Sequence, residues 1–127
     1  MTPSPANEDV VRAFCDAFGR RDVEEILSFF TDDAVYHNIP MAPARGRDAI
    51  RTTLETFVPG SPEIEFVVLH MASAGPVVFT ERVDKMTFGG NRVELPVAGV
   101  FEVDGGRIAA WRDYFDLQQF MNPSGAA

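Results

Sequence analysis

Hydrophobic residues recur every three or four positions through the first third of the chain and every second position later, so the pattern predicts helices followed by strands. Val10, Val11, Phe14, Ala17 and Phe18 form the stripe of a first helix, with Asn7 as its cap and Gly19 as its end. Glu8 and Asp9 suit the positive start of that helix. Asp22 and Glu25 make an acidic capping box, opening a short helix that buries Ile26, Leu27, Phe29 and Phe30. Residues 35–39 read as a brief strand stopped by Pro40 and the Pro43 loop. Residues 48–58 read as a third helix carrying Ile50, Leu54 and Phe57.

Beyond residue 63 the period falls to two, and strands are expected at 63–72, 76–88, 92–103 and 107–117. Gly89-Gly90-Asn91 and Asp104-Gly105-Gly106 are hairpin turn signals, and such short connections make the strands antiparallel neighbours. The strand at 64–71 is apolar in both parities, Ile64, Phe66 and Val68 against Val67, Leu69 and Met71. One sheet face then covers the helices, and the other is expected to meet a second subunit. A last helical turn, Leu117–Met121, is placed to close one mouth of the fold. Together these elements predict an α+β cone: a strongly curved mixed or antiparallel sheet on three to four N-terminal helices, around a deep apolar pocket.

Composition narrows the picture. A chain of 127 residues is expected to be one domain. Its 46% hydrophobic content and 11 phenylalanines suit a well-filled core or an apolar cavity. A formal charge of −8 argues against nucleic acid and anionic membrane as partners. The N-terminal residues lack a basic, apolar leader and no stretch approaches the ~20 residues that span a bilayer, so a cytoplasmic location is expected. The single cysteine, Cys15, falls on the first helix stripe and reads as a small buried hydrophobe. Two separated histidines and one cysteine make no metal site. His37 has the wrong parity to join Tyr36 and Asn38, and His70 reads as half-buried and structural.

The chemistry concentrates in three short motifs. Arg82 and Asp84 share a strand face. Asp113 shares its own with Ala109, Trp111, Phe115 and Leu117, a costly place for a carboxylate unless something pairs with it. One arginine between two carboxylates supplies that pairing, and lets one acid donate a proton while the other accepts one. Tyr36 and Asn38 are likewise two apart and together can hold a water. The plain alternatives are an exposed Arg82–Asp84 salt bridge and a core tyrosine with a satisfied hydroxyl. Asp116, of opposite parity to Asp113, reads as a solvated or capping carboxylate. Arg112 and Tyr114 point outward, toward solvent or a subunit contact. Trp111, Phe115, Met86, Phe88 and Leu117 are candidates for the pocket wall or the core.

Tyr36-His37-Asn38-Ile39-Pro40, Arg82-Val83-Asp84 and Trp111-Arg112-Asp113-Tyr114-Phe115-Asp116 together resemble the limonene-1,2-epoxide hydrolase family, in order and spacing across about residues 7–121. That resemblance implies the nuclear-transport-factor-2-like cone, related to ketosteroid isomerases and SnoaL-like polyketide cyclases. It implies a cofactor-free, one-step addition of water to an epoxide. Asp113 would be the base, Asp84 the acid and Arg82 the bridge, with Tyr36 and Asn38 positioning the water. The product would be a vicinal diol, and the two aspartates would share one proton near neutral pH. The phenylalanine-rich core implies a neutral apolar epoxide; the loop Met41–Gly46 is expected near the mouth, where Arg45 either admits polar substituents or faces solvent, with little N-terminal extension to cover the pocket. Two competing readings use the same cone: proton abstraction beside a carbonyl, which needs a lone base and an oxyanion hole, and a non-catalytic, dimeric binding module.

Overall fold

The computed structural model describes residues 2–122; Met1 and residues 123–127 lie outside them. Helix α1 spans Pro5–Ala17, and its cap is Ser4 rather than Asn7: the Ser4 hydroxyl accepts from the Asn7 backbone N–H. Pro5 explains the earlier start, since a proline at the first helical position lacks only an N–H that would have no helical partner. A 3-10 turn, Phe18–Arg20, then leads to Arg21, whose φ of 54° ends the helical run.

Helix α2, Val23–Leu27, is capped as the sequence indicates, the Asp22 carboxylate accepting from the Glu24 and Glu25 N–H groups. It stops earlier than its hydrophobic pattern suggests. Phe30 belongs instead to strand β1, Phe30–Asn38, which begins five residues ahead of the expected strand. A two-residue strand β2, Ala44–Arg45, and helix α3, Arg47–Phe57, follow. The rest is strand β3 (Ile64–Ala74), β4 (Val77–Phe88), β5 (Asn91–Asp104), β6 (Arg107–Tyr114) and a short helix α4 (Leu117–Met121). The last strand ends before the expected residue 117 because Asp116 turns to cap α4, accepting from the Gln118 and Gln119 N–H groups.

Among the described residues, six strands form one sheet in the order β2-β1-β6-β5-β4-β3. Neighbours are antiparallel except β1 and β6, which run parallel. The helices cover one face, and Phe14 of α1 is the hub of the core between the layers. Its ring meets Phe18, Phe29, Phe30, Phe101 and Trp111 edge-on at centroid distances of 4.9–6.0 Å. Edge-to-face aromatic pairs add to simple area burial, which accounts for much of the phenylalanine load. The fold is the expected α+β cone, but of the three to four helices expected ahead of the sheet only α1 and α2 precede it among the described residues. Helix α3 stands between β2 and β3, where it packs back on β1, and α4 follows β6. Among the described residues, no helix is long and apolar enough to cross a membrane.

Two bulges shift parity from the simple reading. In β3, Val68 pairs with Arg82 but His70 pairs with Glu81, so Leu69 is an extra residue. His70 is thereby turned out to solvent, its ring nitrogen 2.8 Å from Glu81, and is not the half-buried residue expected. In β6, Glu102 faces Ala110 while Val103 faces Ile108. Ile108 and Trp111 both point inward as a result, and Ala109 drops out of the row it was expected to share with Asp113.

Candidate active site

Strand β4 has no bulge, and its even-numbered residues from Val78 to Met86 face the core without interruption. That parity carries Arg82 and Asp84 to the inside, with Arg82 only 1% exposed and Asp84 4%. Strand β6 brings Asp113 to the same floor from two strands away, also buried. The exposed-strand alternative for Arg82 and Asp84 is therefore excluded.

Arg82 grips both carboxylates in paired fashion. Its Nε and Nη2 donate to Asp84 Oδ1 and Oδ2 at 2.9 and 2.8 Å. Its Nη2 and Nη1 donate to Asp113 Oδ2 and Oδ1 at 2.7 and 3.2 Å. Two-point arginine–carboxylate contacts of this kind fix orientation as well as charge. The guanidinium carbon also lies 5.0 Å from the centroid of the Phe66 ring, so the cation rests on an aromatic face. Burial works against the charge of Arg82, but Asp113 and Asp84 more than offset it and push its pKa up. The cation is permanent.

Asp84 responds differently. Burial pushes its carboxyl up to about 6, against the pull of Arg82 and with some help from the Asp113 charge. A carboxyl group with such a value can carry a proton near neutrality. Asp113 accepts a third N–H, from the Trp111 indole Nε1 at 2.7 Å.

Trp111 is not part of the pocket wall, as the sequence suggested it could be. It is fully buried behind the site and does two things there. Its N–H holds Asp113, and its ring stacks on Tyr36, with centroids 4.1 Å apart and planes 5° from parallel. The parallel pairing of β1 with β6 sets Tyr36 opposite Trp111 and Asn38 opposite Asp113. Burial, reinforced by Asp113, raises the Tyr36 pKa and keeps its phenol protonated. Tyr36 and Asn38 therefore stand beside Asp113 as neutral hydrogen-bonding groups.

These side chains meet at a cavity of about 640 Å³. Tyr36, Asn38, Asp84 and Asp113 supply polar surface to its lining. Met86, Phe88 and Phe115 line it as expected, together with Phe66, Leu95 and Val97. Leu117 does not reach it. The next turn of α4 does so through Phe120 and Met121, closing one side of the mouth. Arg45, expected near the mouth, is absent from the lining, where Met41 stands. His37 is turned away and contacts the Met41 carbonyl at 2.9 Å. Cys15 is buried, and that burial pushes its thiol up to about 12, an inert state.

Two neighbours of Arg82 escaped the sequence reading. Thr80 Oγ1 accepts from Arg82 Nη1 at 3.2 Å. Gly99 lies on β5 between Arg82 and Asp113, where a Cβ would fall 2.4 Å from Nη1. A glycine inside a strand is itself a sign of close approach, and that signal was available in the sequence.

Comparison with known proteins agrees with this geometry. The chain is 38% identical over 107 residues to epoxide hydrolase EphG of Mycobacterium tuberculosis, covering 84% of this chain and 71% of that protein. It is similar in structure to an M. tuberculosis LEH-like epoxide hydrolase, with a TM-score of 0.81 and 35% identity over 92% of this chain and 87% of the other. A SnoaL-like polyketide cyclase from Shewanella putrefaciens shares the fold, with a TM-score of 0.84 at 20% identity over 94% and 96% of the two chains. The limonene-1,2-epoxide hydrolase catalytic domain matches residues 5–124, which take in every side chain of the Arg82 cluster, and the chain belongs to that family.

Proposed function

We propose that this protein is an epoxide hydrolase that adds water in one step to a neutral, apolar epoxide, giving a vicinal diol without a cofactor. The observation that carries the reading is Arg82 held between Asp84 and Asp113 at an otherwise apolar cavity. The EphG relative, an epoxide hydrolase by name, supports the same chemistry.

The roles follow from charge. A buried guanidinium is best balanced by a single negative charge, so the cluster is neutral when one carboxyl group is protonated. Asp84, pushed up to about 6, is the group suited to hold that proton. Asp113, facing three N–H donors, is suited to the anion. A water between Tyr36, Asn38 and Asp113 gives its proton to Asp113 while its oxygen attacks an epoxide carbon. Asp84 protonates the epoxide oxygen as the C–O bond breaks, with inversion at the attacked carbon. One proton enters the pair and one leaves, so the cluster stays neutral throughout. Transfer of the proton from Asp113 back to Asp84 resets it.

Strain in the three-membered ring supplies driving force, and a positioned acid and base supply the rest. The apolar wall of Met86, Leu95, Val97 and Phe115 favours a neutral hydrocarbon epoxide. The outer sheet face exposes Leu69, Phe79 and Tyr114, and we infer that a second copy of the chain covers it.

The test is single turnover of limonene oxide and cyclohexene oxide in ¹⁸O-water, with enzyme in excess. Labelled diol from the wild type and none from Asp113→Asn is the expected result. Unlabelled diol means that a carboxylate attacked first, and the one-step mechanism fails. No diol from either substrate, or from a wider panel of epoxides, turns the reading toward a cyclase or a binding module.

A further inference from the structure

We propose that Thr80 and Gly99 are positioning residues for the acid–base pair, forming a floor that locks the Arg82 guanidinium flat between Asp84 and Asp113. The proposal rests on the catalytic reading of that cluster and extends it to two residues that line no part of the cavity.

The geometry begins with the sheet. Arg82 stands on β4 and Asp113 on β6, with β5 between them. Strands are spaced by about 4.8 Å, so the guanidinium must reach over one intervening strand. In register, Thr80 of β4 faces Gly99 of β5, and Gly99 faces Asp113 of β6. Gly99 is the point where the arginine crosses. A Cβ there would lie 2.4 Å from Arg82 Nη1, 2.8 Å from Thr80 Oγ1 and 2.9 Å from Asp113 Oδ1. Every one of these is a functional end of the cluster, and none could keep its place beside even an alanine. Gly99 has no left-handed backbone to explain it. Clearance for the cluster is what its missing side chain provides.

Thr80 completes the hydrogen bonding. A guanidinium has five N–H donors. Four reach carboxylate oxygens, two on each aspartate, and the fifth, on Nη1, reaches Thr80 Oγ1 at 3.2 Å. Thr80 is itself 4% exposed, so without that hydroxyl the fifth donor would be buried and unpaired. The Thr80 bond also differs in kind from the other four. In turnover Asp113 gains a proton as Asp84 loses one, so the four carboxylate bonds change strength in opposite senses. Thr80 is neutral before and after. It is the one acceptor whose hold on Arg82 does not vary as charge moves across the pair.

Thr80→Val, Thr80→Ser and Gly99→Ala test the floor through kcat, KM and the ¹⁵N signals of the Arg82 side chain. Gly99→Ala is expected to lower kcat by about 100-fold, the scale of a misplacement near 1 Å. Thr80→Val is expected to lower it by about tenfold, the scale of one buried orphan donor. KM should stay at the wild-type value in both, because neither residue borders the substrate. Thr80→Ser, which restores the hydroxyl, should recover kcat. In the wild type and Thr80→Ser, the Arg82 N–H signals should be separately resolved; in Thr80→Val they should merge through faster rotation.

Should Gly99→Ala fail to fold, the Val and Ser pair at residue 80 decides the matter. A Thr80→Val protein with lowered melting temperature but wild-type kcat and resolved Arg82 signals overturns the proposal. If the wild type opens no epoxide, the catalytic reading falls, and the Arg82 signals still report whether the floor exists.

Discussion

Arg82 and Arg112 stand on opposite faces of the same sheet, each bonded to carboxylate, and they do different things. Arg112 lies on the outer face of β6 and reaches Glu102 at 2.6 Å, with 31% and 47% of the two side chains open to solvent. Arg82 lies on the inner face of β4, its side chain wholly buried and its two partners 5% exposed. Water screens the first pair and makes it worth little to stability. Removal of water from the second makes the proton inventory depend on the neighbours, and Asp84 moves up to about 6. The same chemical pair is solvated on one side of the sheet and a water-excluded cluster, proposed above to move a proton, on the other. Burial makes the difference.

The widest separation between the two arginines should come from truncation. Arg82→Ala leaves two buried carboxylates without their cation and should cost about 3–5 kcal/mol of stability at neutral pH. Arg112→Ala should cost less than about 1 kcal/mol. Urea unfolding measures both, and equal losses would remove the distinction.

Asp113→Asn should lower kcat by roughly 10²–10⁴-fold with the fold retained, the range of a lost general base. Glu102→Gln on the outer face should leave kcat unchanged. Steady-state diol formation, with circular dichroism as the check on folding, reads both.

The next effect is on stability against pH. Asp84 has a higher pKa folded, about 6, than the ordinary 3.8 it has when unfolded, so the folded state binds its proton more tightly. Its contribution is fully present below about pH 3.8 and is lost as pH rises through about 6. The full span is on the order of 3 kcal/mol. Unfolding curves across pH 3.5–7, compared between wild type and Asp84→Asn, should show that slope in the wild type and a flatter profile in the variant. The matching activity profile should decline above pH 6 as the general acid ionises.

A smaller effect sharpens the inner side. Trp111→Phe keeps a ring against Tyr36 but removes the N–H that meets Asp113 at 2.7 Å. A loss of about 1.5–3 kcal/mol is expected, as for a hydrogen bond to a charged group. A Trp111→Phe protein as stable as wild type would mean that the indole serves only as packing.

How far the site could be read in advance depended on backbone regularity. Arg82 and Asp84 were legible because β4 alternates without a bulge, so counting by two puts both inside. Asp116 was legible as a cap because it precedes a short apolar helix. His70 was misread because Leu69 adds a residue and reverses the parity after it. Ala109 was misread for the same reason on β6. Trp111 was named as a pocket candidate, yet its position behind Tyr36 depends on a parallel β1–β6 pairing between segments some seventy residues apart in sequence.

From the sequence alone came the helix-then-strand order, the hairpin turns, the resemblance carried by its motifs, and the residue types able to trade a proton. Those are local properties, set by spacing of two or three to four and by glycine at turns. Tertiary structure alone decided that Asp113 approaches Arg82 over Gly99, that Thr80 accepts the fifth guanidinium N–H, and that burial pushes Asp84 up to about 6. Each of these depends on which strands lie side by side and how much water their packing excludes, and neither is written in the spacing of residues along one strand.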